Sequence, residues 1–291
     1  MLRYIIALLL LVSCTRHKPT EPKLVNADVV KKAELYKSLR RGWAHSGCDV
    51  LGFTALCKLT GGCQDANIFD AEGEAGRWYR TPEKDCYDTG RSASDISKDM
   101  FVMLFPYLYA TKDKAALVRI YEYAKDHGGI MGRGPVSRTF MTPSLVYFLQ
   151  RLIGLVPFGA TDEDFEPYDL EKAGYEKHLD MIHAMTAAMK DGFMGKLDFD
   201  LMKAYADENP KNALAQALVH KYSDGDQTAV ISILLDEKLF PSDRLPTARD
   251  NRCEEYLWQR NFHKSDWEPC EQDYTHDGVD FLIAAWVAGQ I

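Results

Sequence analysis

The sequence predicts an all-α fold of helical hairpins, with long loops that disulfide bonds hold in place. Apolar residues recur at spacings of three and four, which places them on one helix face, whereas the strict alternation of a β-strand is scarce. Residues that favour helix ends flank these segments, such as Gly128 after one helix and Pro143 at the start of the next. Several cysteines lie in polar stretches with no helical period.

The first residues predict export. Arg3 is followed by an unbroken apolar run at 4–12, which is too short to cross a bilayer but suits the core of a secretory signal. The run ends in Leu11-Val12-Ser13-Cys14, which resembles the lipobox of bacterial lipoproteins. The resemblance implies a signal peptide over 1–13, cleavage before Cys14 and acylation of that cysteine, because two or more acyl chains anchor a protein stably. The alternative is an ordinary signal peptide that ends near a cysteine.

Residues 14–25 are predicted to form a lipidated tether that lifts the domain off the bilayer, since 15–23 is polar with two prolines and three basic residues. The membrane is then a partner through the lipid. The expected location is the cell envelope, on the periplasmic side of the outer membrane or the outer face of the inner membrane.

Residues 26–291 are predicted to form a single helical domain, since this length supports one sizeable core. Pro143 suits a first helical turn, and Gly128 with Gly129 suits a helix end. The run 100–105 is apolar nearly all round and predicts a buried helix. Helices are predicted at 26–40, from 94 or 95 to 110, 114–127, 143–152, 170–190, 199–208, 210–221, 227–237 and 278–288, with a long loop at 61–91.

The hairpin of an apolar helix, a short turn at 111–113 and an amphipathic helix resembles the repeat unit of (α/α) toroids. The resemblance covers about 92–154. It implies a toroid, complete or incomplete, with buried inner helices, and many toroids hold polysaccharides at the ends of those helices. The pair at 210–237 equally resembles a tetratricopeptide-like pair, although the 34-residue signature of that class does not recur.

Six cysteines besides Cys14 predict disulfide bonds, because an even number in an exported chain favours pairing. Nearness suggests that Cys253 pairs with Cys270 and that the other four pair among themselves. A zinc site is the rival interpretation, but no C-x-x-C pair exists and the gaps are irregular. We therefore expect no metal and no cofactor. The six are Cys48, Cys57, Cys63, Cys86, Cys253 and Cys270.

The densest polar cluster spans 91–99, where a loop enters the apolar helix. With a helix start at Ser94, Asp95 and Asp99 fall four residues apart on one face, and such a carboxylate pair suits the acid and base of glycoside hydrolysis. Pairs of this kind usually come from different elements, so the alternatives for the second carboxylate are Asp88, Glu72 and Asp277. The competing interpretation is that Asp95 caps the helix and Asp99 forms an ion pair.

A second cluster spans 127–139 and contains four glycines. His127 is a candidate acid or base, while Arg133 and Arg138 are candidates to bind an anionic substrate through forked hydrogen bonds. The competing interpretation is a flexible connector whose arginines pair with the acidic excess. The remaining candidates for substrate binding are aromatic residues in loops and a polar loop before the last helix: Trp78, Tyr79, Trp267, His276 and Asp277.

Charge and motifs exclude several functions. Without 1–13 the chain carries 34 basic against 43 acidic residues, and this acidic surface argues against a nucleic-acid partner. The phosphate loop, the zinc-protease motif and the nucleophile elbow are all missing from the sequence. The leading hypothesis is an envelope lipoprotein that acts on a glycan as a hydrolase or lyase, with polysaccharide or peptidoglycan as partner. The alternative is a non-catalytic lipoprotein that binds an envelope protein or a glycan.

Overall fold

The computed structural model describes residues 16–21, 24–44, 48–74, 76–84, 96–131, 141–156, 174–223, 227–247 and 275–291, with side chains from 178 onward in the range that begins at 174. Within these ranges the protein is all-α, as the sequence predicts, with ten α-helices and one two-stranded ladder. The helices are α1 Ala27–Leu39, α2 Val50–Leu59, α3 Lys98–Ala110, α4 Lys114–Asp126, α5 Pro143–Ile153, α6 Gly174–Asp191, α7 Lys196–Glu208, α8 Ala213–Lys221, α9 Thr228–Leu234 and α10 Val279–Val287. The strands are β1 Arg16–His17 and β2 Met194–Gly195, and a 3₁₀ turn covers Ile68–Ala71.

Four of the described helices, α1, α4, α5 and α8, begin at a side chain that accepts hydrogen bonds from the first turn. Asn26 accepts from the amides of Asp28 and Val29 at the start of α1, and Thr142 accepts from that of Leu145 at the start of α5. Such caps replace the hydrogen bonds that the first amides of a helix lack. These residues explain why the predicted helix starts at 26, 114 and 143 are confirmed within a residue.

The central layer is a set of helices that are buried nearly all round. Eight of the ten residues of α2 are buried, and α2 packs against both α3 and α10. In turn α3 packs against α6, and α10 against α8. The sequence analysis assigned no helix to α2. The hairpin of α3 and α4 is confirmed, whereas the toroid resemblance stays a prediction.

The described residues of the N-terminal segment lie against the domain, whereas the tether predicted at 14–25 was expected to lift the domain off the bilayer. β1 pairs antiparallel with β2, with Arg16 opposite Gly195 and His17 opposite Met194. The His17 ring stacks on Phe199 with centroids 3.9 Å apart. Further along, the Thr20 amide donates a hydrogen bond to the carbonyl of Lys221 at 2.6 Å. The Thr20 hydroxyl donates a second one to the carbonyl of His220 at 3.1 Å. The segment is therefore fastened at two points.

In the described part of the chain no helix is long and apolar enough to cross a membrane. The predicted signal peptide and Cys14 lie outside the described residues.

Candidate functional site

The start of α3 holds the one described member of the predicted carboxylate pair. The helix begins at Lys98 with Ser97 as its N-terminal cap, so the expected helical turn shared by Asp95 and Asp99 is wrong. Asp99 is half-buried in the first turn. Among the described residues, the Ser97 hydroxyl is buried and has no hydrogen-bond partner. A carboxylate two residues away from an unsatisfied hydroxyl suits a ligand with hydroxyl groups.

An ion pair lies at the same end of α2 as the start of α3. The amide of Gly52 contacts the sulfur of Met100 at 3.2 Å, which brings the starts of α2 and α3 together. Arg80 binds the carboxylate of Asp49, the residue before α2, at 2.5 Å, and its carbonyl accepts from the amide of Leu51. The sequence analysis missed Arg80 and Asp49, since only the tertiary fold brings 80 back to 49.

Asp277, with its neighbour His276, is buried at the start of α10, and Arg40 binds its carboxylate at 3.2 Å. The carbonyl of Arg40 accepts from the amide of Cys63, just beyond the last residue of α2. Asp277 and Asp99 therefore lie at opposite ends of α2, whose ten residues span about 15 Å. The structure does not bring these two candidates into one carboxylate pair.

Glu72 is committed to holding a loop. Its two carboxylate oxygens accept from the Arg119 guanidinium at 2.9 and 2.8 Å, and one of them also accepts from the Gly76 amide. Gly76 lies so close to α4 that a side chain there would collide with the carbonyl of Arg119. Glu72 and Gly76 thus hold their part of the 61–91 loop against α4. These contacts give Glu72 a structural role, which is the alternative to a catalytic role.

The two described aromatic candidates differ. Trp78 is fully buried and its ring packs near Phe69 at 5.6 Å, so it offers no ring face to a sugar, and this corrects its prediction as a binding residue. Tyr79 is half-buried. The Arg77 guanidinium lies over its ring at 4.7 Å, and Gly73 packs against the ring edge. Any stacking on Tyr79 competes with this cation–π contact.

His127 ends α4 and is turned back on its own helix. Its Nδ1 lies 2.9 Å from the carbonyl of Tyr123, and its ring stacks on the Tyr123 ring at 4.0 Å. These contacts fix the ring at the helix end. The remaining predicted site residues lie outside the described residues: Asp88, Asp95, Arg133, Arg138, Trp267, Cys86, Cys253 and Cys270.

Polar side chains meet between α5 and α6, and the sequence did not predict this contact. Arg151 binds Asp191 at 2.6 Å, with both side chains mostly buried, and the His183 ring packs against Phe148 at 3.9 Å. Burial of the imidazole, followed by the nearby Arg151 charge, lowers the pKa of His183 to about 3. His183 is partly exposed as a residue although its Nε2 is buried. A histidine with such a low pKa stays neutral at pH 7 and is poorly matched to proton transfer there. The spacing of His183 and Asp191 on one helix face was the signal available in the sequence.

Cys57 and Cys63 form a disulfide bond with their Cα atoms 5.7 Å apart, as expected for a pair within the first four cysteines. Cys48 is also disulfide-bonded. The pairing of Cys253 with Cys270 stays a prediction. In the described ranges no three metal-ligating side chains converge on a metal position. Comparison with protein-family models, curated proteins and solved structures found no match for this chain.

Proposed function

We propose that the protein is a lipoprotein of the bacterial cell envelope, anchored through acylated Cys14, whose domain works next to the membrane. The lipobox Leu11-Val12-Ser13-Cys14 carries this proposal. The docking of 16–21 then holds the domain close to the lipid anchor. The location is the periplasmic side of the outer membrane or the outer face of the inner membrane.

The test is expression of the full chain in a bacterium with an alkyne-tagged fatty acid in the medium. The wild type should carry the tag and enter the membrane fraction, whereas Cys14→Ser should lose both properties. Ser13→Ala is the matched control, because the position before the cysteine tolerates substitution, and it should behave as the wild type. A tagged Cys14→Ser protein would refute the proposal.

We further propose that the domain binds a glycan at the start of α3. Asp99 and the unsatisfied hydroxyl of Ser97 favour a ligand rich in hydroxyl groups. The other three carboxylates described above, those of Glu72, Asp49 and Asp277, are ion-paired. This pairing favours binding over the two-carboxylate mechanism, so a glycan hydrolase or lyase is the second candidate and rests on Asp95.

Thermal unfolding with peptidoglycan fragments and with uronic-acid oligosaccharides tests glycan binding. One of these ligands should raise the unfolding temperature of the wild type but not that of Asp99→Asn. Asp126→Asn, which changes a carboxylate at the end of α4, should keep the response. An unchanged unfolding temperature with every ligand would favour a protein partner. The release of shortened or unsaturated products would favour the hydrolase or lyase hypothesis instead.

A further inference from the structure

A small surface beside the β1–β2 ladder combines exposed apolar and basic side chains. We name it the ladder face and define it by Arg16, Lys18, Phe193, Lys196 and Leu197. Leu197 is 63% exposed, and it is one of few large apolar side chains with such exposure in the described ranges. The Arg16 guanidinium lies over the half-buried Phe193 ring at 4.7 Å. Lys18 and Lys196 are exposed beside them.

The chain between the anchor and the ladder face is very short. Arg16 is the second residue after Cys14, and two residues span at most about 7 Å when fully extended. A free tether from 14 to 25 would instead reach about 35 Å. Because β1 is paired with β2, the lipid attachment point must lie within that short distance of the ladder face.

We propose that the ladder face is the surface on which the domain rests against the bilayer that holds the lipid of Cys14. This inference rests on the proposed acylation of that cysteine. The side chains suit the interface between headgroups and acyl chains, where Leu and Phe bury apolar atoms and Arg and Lys keep their charges among lipid phosphates.

The charge of the ladder face is consistent with this occupant. Lys196 forms an ion pair with Asp200, one turn further along α7, and a phosphate can compete with this exposed pair for the ammonium group. Arg16 lies over the Phe193 ring, and within the described part of the chain the exposed Lys18 forms no ion pair with a carboxylate. A second protein is a poorer occupant, since the five side chains of the ladder face are far fewer than the roughly 20–30 residues that each partner contributes to a stable interface.

The test is amine footprinting of the lipidated wild type. The full mature protein is reconstituted in vesicles of phosphatidylethanolamine with a minor share of phosphatidylglycerol, and a membrane-impermeant acetylating reagent labels its lysines. The reference is the soluble Cys14→Ser protein without its signal. Lys125 on α4 is the internal control, because its side chain is 60% exposed and paired with Glu122, much as Lys196 is 56% exposed and paired with Asp200.

We expect labelling of Lys196, relative to Lys125, to fall to about a fifth of its value in the soluble protein, because headgroups exclude the reagent from the bilayer surface. Equal relative labelling in vesicles and in solution, for a protein whose intact mass shows lipid on Cys14, would overturn the proposal that the ladder face rests on the bilayer. It would leave the lipoprotein proposal standing. A mature protein without lipid would overturn the proposed function itself, and the ladder face with it.

Discussion

Replacement of His17 by Ala should release the segment 16–21 from the domain. The His17 ring stacks nearly parallel on Phe199, at an interplanar angle of 15°. Such a ring pair contributes about 0.5–1.5 kcal/mol beyond the area that it buries. His17→Ala also uncovers part of Phe199, which is 6% exposed, and this adds a few tenths of a kcal/mol or more. Together the docking free energy should fall by about 1–2 kcal/mol.

The rate of trypsin cleavage after Arg16 measures this docking, because the paired strand must open before the bond enters the protease. When opening is fast, the rate follows the open population, so about 1–2 kcal/mol corresponds to roughly 5–30-fold faster cleavage. The bond after Lys18 precedes a proline and resists trypsin, which leaves one cleavage site in the segment. Rates are divided by those of the same bond in the unfolded chain to remove any effect of the neighbouring alanine.

Lys18→Ala is the control, since Lys18 is exposed and the ladder bonds do not involve it. It should change the rate less than about twofold, as exposed substitutions usually do. If His17→Ala also changed the rate less than about twofold, the stacking on Phe199 would contribute nothing, and the docked anchor would lose its main support.

Two further predictions concern the stability of the domain. The folded pKa of His183, about 3, lies below its unfolded value near 6.5, so the unfolded chain binds the proton first as the pH falls and stability is lost below about pH 6.5. Between pH 6.5 and 5 the wild type should lose about 2 kcal/mol more than His183→Gln in urea unfolding, and parallel curves would contradict this. Lys32 is buried and donates to the carbonyls of Leu234 and Phe240. Lys32→Met should therefore lower the free energy of unfolding by about 3 kcal/mol, because it leaves these carbonyls without their donor. Lys31→Met, at the exposed neighbour, should change it by less than about 0.5 kcal/mol. An equal loss in both lysine variants would refute the role of the buried ammonium.

The helices that the sequence predicted well are those whose ends carry a local signal. Asp113 caps α4 through the amide of Ala116, and Gly154 ends α5 in the left-handed conformation. These signals act within one helical turn and are readable without the tertiary fold. The start of α3 was placed wrongly at Ser94 or Asp95, because the residue before this helix, Ser97, makes no capping hydrogen bond with its side chain and so gives no local signal of this kind.

Features that depend on contacts across the chain were not predictable. α2 is apolar on nearly every side, so it shows no period that separates a buried helix from a loop. The pairing of Arg151 with Asp191 joins residues 40 positions apart. The ladder of β1 with β2 has two residues per strand, which is too short for any alternation. The polar composition of 15–23 therefore indicated a free tether, whereas tertiary contacts hold its described residues.

The ladder face and the candidate glycan position occupy opposite ends of α3. Burial and the nearby Asp191 raise the pKa of Tyr109, which places the last turn of α3 close to the end of α6, and β2 follows that end directly. Asp99 lies ten residues before Tyr109, about 15 Å away along the helix. With the ladder face on the bilayer, the length of α3 therefore lies between the membrane contact and Asp99, so a ligand at Asp99 need not be the headgroup of a lipid that touches the ladder face.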